Sequence, residues 1–143
     1  MDPFLLSKCT CFAVRKAARA LTQAYDAALA PAGIRSTQYM VLAAIGQRSD
    51  ISVHELASTM AMDRTTMGKN LRLLAEDGLV SVNVSETDRR GRNIALTRKG
   101  RMLLDGAYPL WKHAHDTLGK AHGREFLDQL RIMLKQLDSV RPS

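Results

Sequence analysis

Cysteine is nearly missing from this chain: Cys9 and Cys11 are the only two in 143 residues. Two thiols separated by one residue fit neither a disulfide scaffold nor a four-ligand metal site, and they suit a reducing compartment. Long apolar runs are missing too. The longest stretch without a charged side chain, Ser36 to Gln47, has twelve residues, well short of the ~20 that a membrane-spanning helix needs. The first residues resemble no signal peptide, so a cytoplasmic protein is expected. There is no Gly-x-Ser-x-Gly elbow, no glycine loop to cradle a phosphate and no carboxylate pair with an evident task, which argues against an enzyme. His113 and His115 stand two apart, pointing to different sides of a helix, and neither His54 nor His122 adds a third ligand at a recognisable spacing. No metal and no cofactor are expected. Repeats, low-complexity tracts and linkers are absent as well, and the length suits one domain.

What is present is concentrated between Ser52 and Thr97. Ser52 and Glu55 form a capping box, in which the hydroxyl accepts from a free backbone N–H and the carboxylate reaches back to the cap. A helix therefore starts at Val53 and carries Leu56, Ala57 and Met60. The chain turns over Ala61 and Met62, and Asp63 offers a second cap whose charge suits the positive helix end. A second helix follows from Arg64. Met67, Leu71 and Leu74 recur along it at helical spacing and face a core, which leaves Arg64, Thr65, Gly68, Lys69 and Arg72 outward. Asp77, Gly78 and Leu79 end the helix at a left-handed glycine, and Val80, Val82 and Val84 alternate as a strand does. A turn covers Glu86 to Gly91, Ile94 and Leu96 form the return strand, and Thr97 caps another helix. Helix, turn, helix and a ribbon tipped by Arg89, Arg90 and Arg92 read as a winged helix-turn-helix, a device for reading double-stranded DNA.

Charge supports that reading. From Asp63 to Arg101 nine Lys and Arg stand against five Asp and Glu, so an excess of +4 out of the chain's +7 lies where the groove-reading parts lie. A basic helix face alone is an ordinary solvated surface; the hairpin that follows is what raises it above that. Thr65, Thr66 and Lys69 are assigned to base edges, and Arg64 and Arg72 to phosphates. At the hairpin tip, Arg90 is expected in the minor groove, with Asp88 orienting the loop and Arg89 and Arg92 nearer phosphates. A winged helix that uses its wing for protein contact, or binds nucleic acid without sequence preference, is the alternative of another class.

The run Met62-Asp63-Arg64-Thr65-Thr66-Met67, then Leu74-Ala75-Glu76-Asp77-Gly78-Leu79-Val80, then Asp88-x-Arg90 with Leu96-Thr97 six residues on, resembles the MarR family of bacterial transcription regulators. The resemblance implies a homodimer that binds a pseudo-palindromic operator and is released by a small ligand or by oxidation. It also implies one MarR-type domain over 1–143, with the winged unit at 35–100 and dimerisation helices at 1–34 and 101–143. The fold expected is mainly α with a small β-hairpin wing.

Around the reading unit the pattern is helical. A first helix is expected from near Phe4 to Ala30, with Cys11, Val14, Ala18, Leu21, Tyr25 and Ala28 as one apolar stripe. Pro31 and Gly33 break it. A central helix runs from about Thr37 to Gln47. Beyond the wing, a helix from Arg98 to about Leu118 contains Pro109, whose missing N–H and ring predict a kink. The last helix, Arg124 to about Val140, aligns Phe126, Leu130, Met133, Leu137 and Val140. First and last helices each carry a stripe that one copy can hardly bury, which points to the dimer interface or else to a pair packed on one another. Tyr39, Met40 and Trp111, with Tyr108 and other methionines, are candidates to line a cavity for a phenolic ligand of the kind the family binds, or simply to pack a core.

Cys11-Phe12-Ala13-Val14 is similar to the corresponding segment of the family's organic-hydroperoxide sensors, in which two tyrosines of the partner subunit polarise a reactive thiol. Tyr25 matches one tyrosine. Arg15 stands where the other would be and could favour a thiolate electrostatically. Cys11 is thus either a redox thiol or a small apolar packing residue. Cys9 lies about 200° around the same helix, which disfavours a bond between the two within an intact helix.

Overall fold

A computed structural model describes residues 4–84 and 91–141. Asp88, Arg89 and Arg90 therefore lie outside the described residues. The elements, in chain order, are α1 (Phe4–Ser7), α2 (Thr10–Leu29), α3 (Ser36–Gly46), β1 (Ile51–Ser52), α4 (Val53–Thr59), α5 (Arg64–Glu76), β2 (Val80–Val84), β3 (Arg92–Leu96), α6 (Arg98–His122) and α7 (Arg124–Gln136). The fold is mainly helical with a small three-stranded sheet.

The expected first helix is two helices. Cys9 is extended (φ −81°, ψ 111°) and caps α2, its Sγ accepting the Phe12 N–H at 3.4 Å. Cys9 and Cys11 consequently do not share one intact helix, and the 200° separation read from the sequence does not apply. A short 3₁₀ turn, Ala30–Ala32, follows α2, and Gly33 closes it in the left-handed region. Ser36, buried at the start of α3, donates its N–H to Asp26 Oδ1 at 2.7 Å, which ties α3 to α2 and holds the Asp26 carboxyl below its usual range.

The central core is contributed by every layer: Leu29 from α2, Leu42 and Ile45 from α3, Leu56 from α4, Met67 and Leu74 from α5, and Ile94 from the sheet are fully buried. The strand order is β1-β3-β2, all antiparallel, with Val82 opposite Ile94 and Val84 opposite Arg92. The sequence pattern missed β1. Two residues are too few to show alternation, yet Ile51 pairs with Ile94 and closes the sheet on the helix-turn-helix side.

Helix α6 runs through Pro109 as one element and passes the expected end at Leu118, stopping at His122 before Gly123 (φ 89°). Gly123 ends the helix by leaving helical dihedrals (φ 89°, ψ 142°), a backbone conformation that glycine adopts without the steric cost of a Cβ. The last helix is shorter than expected, ending at Gln136 and passing into a 3₁₀ turn, Leu137–Val140. Leu127 faces inward and is buried, while Phe126, Ile132, Met133, Leu134, Leu137 and Val140 stay exposed. Phe12, Val14 and Leu21 on α2 are likewise uncovered. Among the described residues no helix is long and apolar enough to cross a membrane.

Candidate nucleic-acid interface

The reading unit is built from two helices that end in the same way. At the end of α4, Ala61 N–H donates to Ser58 O at 3.1 Å and Met62 N–H to Ala57 O at 2.9 Å, with Ala61 at φ 53°. At the end of α5, Gly78 N–H donates to Ala75 O at 3.0 Å and Leu79 N–H to Leu74 O at 2.9 Å, with Gly78 at φ 74°. Both are Schellman endings, which satisfy the last carbonyls and turn the chain sharply. The first turn swings the chain from α4 into Asp63, whose carboxylate caps α5 by accepting the Thr66 N–H at 2.7 Å. That hydrogen bond is also the main reason the Asp63 carboxyl is held below its usual range. Ser52 caps α4 by accepting the Glu55 N–H at 3.0 Å, but the return half of the expected capping box is not made, because Glu55 turns its carboxylate to Arg48 at 2.8 Å instead.

The second ending is locked to α6. Thr97 donates its hydroxyl hydrogen to Gly78 O at 2.6 Å and accepts the Gly100 N–H at 3.0 Å. Its own N–H donates to Leu79 O at 3.1 Å, and Lys99 Nζ donates to Asp77 O at 2.8 Å. A Cβ at Gly100 would lie 2.0 Å from Leu79 O, so only glycine lets the start of α6 approach this closely. The pose of the reading helix is thereby set by the helix that carries the rest of the molecule.

With α5 held this way, its outward residues form two adjacent rows. Arg64, Gly68 and Arg72, one turn apart, line an open groove of about 590 Å³ to which His54 of α4 and Arg92 of β3 also contribute. Thr65 and Lys69 form the next row, exposed beside the groove. Thr66 is exposed and its backbone is committed to the cap. Asn70 turns its amide back to Thr66 O at 2.9 Å and is occupied within its own helix. The structure thus brings Arg64, Arg72 and Arg92 to the lining of one concavity, beside the apolar Leu71, Ala75 and Val82, and presents Thr65 and Lys69 on a neighbouring crest. By spacing alone, His54 reads only as a metal ligand without companions, and its place in the groove lining is missed. Its place two residues after the capping Ser52, in the first turn of the first helix of the motif, is the signal in the sequence that could have found it.

A second cavity, of about 480 Å³, lies between α3 and α6 and is lined by Tyr39, Met40, Arg101, Tyr108 and Trp111 among others. Trp111 is stacked with Tyr39 and with Tyr108, centroids 6.0 Å apart in each case, and with His115 at 4.9 Å. Burial raises the Tyr39 phenol above its ordinary value. The three sequence candidates for a ligand pocket therefore do meet in one place. Cys11 is a free, exposed thiol one residue into α2, with Arg15 exposed one turn further on, and Tyr25 is half-buried, its phenol raised by burial. Within the described residues no group of His, Cys, Asp and Glu could hold a metal ion.

A helix-turn-helix with a cationic groove closed by a sheet ribbon defines a winged-helix DNA-binding protein. The model of the MarR family matches residues 32–91, which include both helices of the motif. The transcriptional regulator TtmR of Methylorubrum extorquens is 35% identical over 140 residues, spanning 98% of this chain and 69% of that protein. Among solved structures, the transcriptional regulator MosR of M. tuberculosis in complex with DNA is 35% identical with a TM-score of 0.83, covering 94% of this chain and 99% of that one. The repressor CouR bound to a 23-mer DNA duplex is 27% identical with a TM-score of 0.83, covering 96% and 98%; CouR from Rhodococcus jostii RHA1 has also been solved bound to p-coumaroyl-CoA, at 25% identity and a TM-score of 0.80, covering 96% and 97%. The chain belongs to the MarR family of DNA-binding transcription regulators.

Proposed function

We propose that this chain works as a cytoplasmic homodimer that binds a pseudo-palindromic operator and represses transcription until a small aromatic ligand releases it. The observation that carries the DNA part is the groove of α4, α5 and β3, in which Arg64, Arg72 and Arg92 face one concavity with no carboxylate among its described lining residues. Such a concavity suits a phosphate backbone, and the crest of Thr65 and Lys69 beside it then meets base edges. Arg90 reaches the minor groove from the wing tip, where Asp88 orients the loop and Arg89 adds a phosphate contact. Dimerisation covers the exposed row Phe126, Met133, Leu137 and Val140 together with Phe12, Val14 and Leu21 of α2, and it sets two recognition helices ~34–36 Å apart.

Selection from a random-sequence duplex pool, followed by gel shifts, tests this. Arg72→Gln is expected to weaken specific and random DNA alike and flatten the salt slope by about one phosphate. Thr65→Ala changes which sequence is preferred, and Arg90→Ala weakens operator binding strongly with the fold intact. Salt-sensitive binding that enriches no sequence would replace the regulator by a sequence-blind interaction module.

For release, the cavity of Tyr39, Met40 and Trp111 is the proposed effector site, sized for one aromatic ring system and carrying Arg101 for a carboxylate or thioester oxygen. The CoA thioester bound by CouR supports an aromatic acyl compound as the class. Trp111 is the only tryptophan, so its fluorescence reports binding of phenolic acids or their thioesters directly. A second reading rests on the exposure of Cys11: oxidation of its thiol, with Arg15 one turn further on and Tyr25 on the same helix, shifts the dimer. A Cys11→Ser variant released from operator by organic hydroperoxide as readily as the parent protein would remove it.

A further inference from the structure

A cavity of about 450 Å³ lies between α6 and α7, away from the reading helices, and its walls are cationic. Lys112 and Lys120 of α6 and Arg124 and Arg131 of α7 line it, against one lining carboxylate, Asp116. Lys112 Nζ already engages Asp116 at 2.6 Å, and Arg131 is paired with Asp128. Lys120 and Arg124 have no ion-pair partner among the described residues. A cleft lined by one sign of charge concentrates the field that draws in a counter-ion. Gly119 is an independent sign of an occupant. It stands within α6, where glycine weakens a helix relative to alanine. Nothing lies within 4 Å of the point where its Cβ would stand, so no packing in this chain calls for glycine there, yet it lines the cavity. Gly68 of α5 has the same two properties in the groove that faces DNA.

The cationic cavity adjoins the aromatic one. His115 lines the first and stacks on Trp111, centroids 4.9 Å apart, while Trp111 lines the second with Tyr39 and Tyr108. Tyr108, Trp111, His115 and Gly119 follow one another at intervals of three and four, so they share one face of α6. Along that face the helix rises ~12 Å from Trp111 to Gly119.

We propose that the α6–α7 cavity is a phosphate subsite of the effector site, so that the effector is an aromatic acyl thioester of coenzyme A, with its ring among Tyr39, Tyr108 and Trp111 and its phosphates against Lys120 and Arg124. The inference rests on the effector reading of the aromatic cavity. A free phenolic acid fills that cavity alone and leaves the second set of cations without a partner. A coenzyme A thioester carries a diphosphate and a phosphate monoester on a flexible arm, and the arm runs along α6 past His115 and Lys112. Arginine meets phosphate oxygens with parallel N–H donors, and lysine meets them as a point charge. Joining the two contacts in one molecule makes the second intramolecular, so the thioester binds more tightly than either fragment. A ligand laid along α6 also bears on the helix whose start, at Thr97 and Gly100, holds the end of α5.

The experiment uses the full chain with p-coumaric acid, its N-acetylcysteamine thioester, p-coumaroyl-CoA and coenzyme A alone. Binding is read from Trp111 fluorescence and by calorimetry for the parent protein, Lys120→Gln, Arg124→Gln and the double variant, with the oligomeric state of each followed by sedimentation. The parent is expected to hold the coenzyme A thioester at least about tenfold tighter than the short thioester, an advantage that shrinks with added salt. Each single variant is expected to lose about twofold to fivefold of it and the double variant about tenfold, with affinity for the acid and the short thioester unchanged. Equal affinity of the parent for the two thioesters, or a double variant that keeps the parent's preference, overturns the phosphate subsite. A double variant that sediments as a monomer where the parent is a dimer overturns it as well, because the cavity is then a contact between copies. Failure of the aromatic reading looks different: coenzyme A binds, the double variant loses it, and neither the acid nor the short thioester gives a response. No response to any of the compounds overturns both.

Discussion

Gly100→Ala tests how the reading unit is fixed to the rest of the molecule. The new Cβ would stand 2.0 Å from Leu79 O and 3.0 Å from Leu79 C, more than ~1 Å short of ordinary carbon–oxygen contact. Backbone cannot rotate aside as a side chain does, so α6 must lift off the segment that follows the recognition helix. Overpacking of this kind costs about 3 kcal/mol, the upper part of its usual range. Lifting also weakens the Thr97 N–H to Leu79 O hydrogen bond, now 3.1 Å, worth about 1 kcal/mol. Replacing a helical glycine returns about 1 kcal/mol. A net loss of about 2–3 kcal/mol remains, or a fall in Tm of about 10 °C at ~4 °C per kcal/mol. Gly106, on the same helix, has nothing within 4 Å of the point where a Cβ would stand, so Gly106→Ala serves as the control and is expected to gain a few tenths to 1 kcal/mol. Melting followed by circular dichroism compares the pair. A Gly100→Ala protein that melts with Gly106→Ala would refute the close approach and the rigid coupling derived from it.

Gly68→Ala separates fold from function: with nothing within 4 Å of the added methyl it is expected to raise stability by up to about 1 kcal/mol, yet weaken operator binding because it narrows the groove between Arg64 and Arg72, as melting and gel shift on one preparation would show. The two Schellman turns are expected to respond in opposite directions, Ala61→Gly gaining up to about 1 kcal/mol by relieving a left-handed alanine and Gly78→Ala losing about as much, read as shifts in denaturant midpoint. Leu137→Asp places a charge on a side chain already exposed in one copy, so the chain is expected to stay folded but sediment as a monomer with little operator affinity; a variant that remains dimeric would move the interface elsewhere. Acidification below about pH 4 is expected to loosen the start of α5, because a carboxylate held below its usual value contributes above its unfolded pKa of roughly 3.9 and stops contributing as the pH falls through the lower, folded one; amide exchange at Thr66 reads this.

The sequence by itself determined the local parts. Ser52, Asp63 and Thr97 each cap the helix expected of them, because a cap is a bond between residues three apart and needs no knowledge of the fold. The boundaries of α5, the left-handed Gly78 and the alternation of Val80, Val82 and Val84 were legible for the same reason, and so was the division of α5 into a buried row and a cationic one. Only the tertiary structure decided what lies far apart in the chain. Ile51 became a strand because Ile94 was there to pair with it, and Asp26 became a partner of Ser36 across the turn between two helices. His54 entered the groove because α4 packs beside α5 and the wing returns to face it. Gly100 is glycine because the carbonyl of Leu79 passes over it, a constraint with no trace in local propensity. The break at Cys9 went unread because neither proline nor glycine marks it: an apolar stripe continues across one extended residue as easily as across a helical one, and periodicity alone cannot tell the two apart.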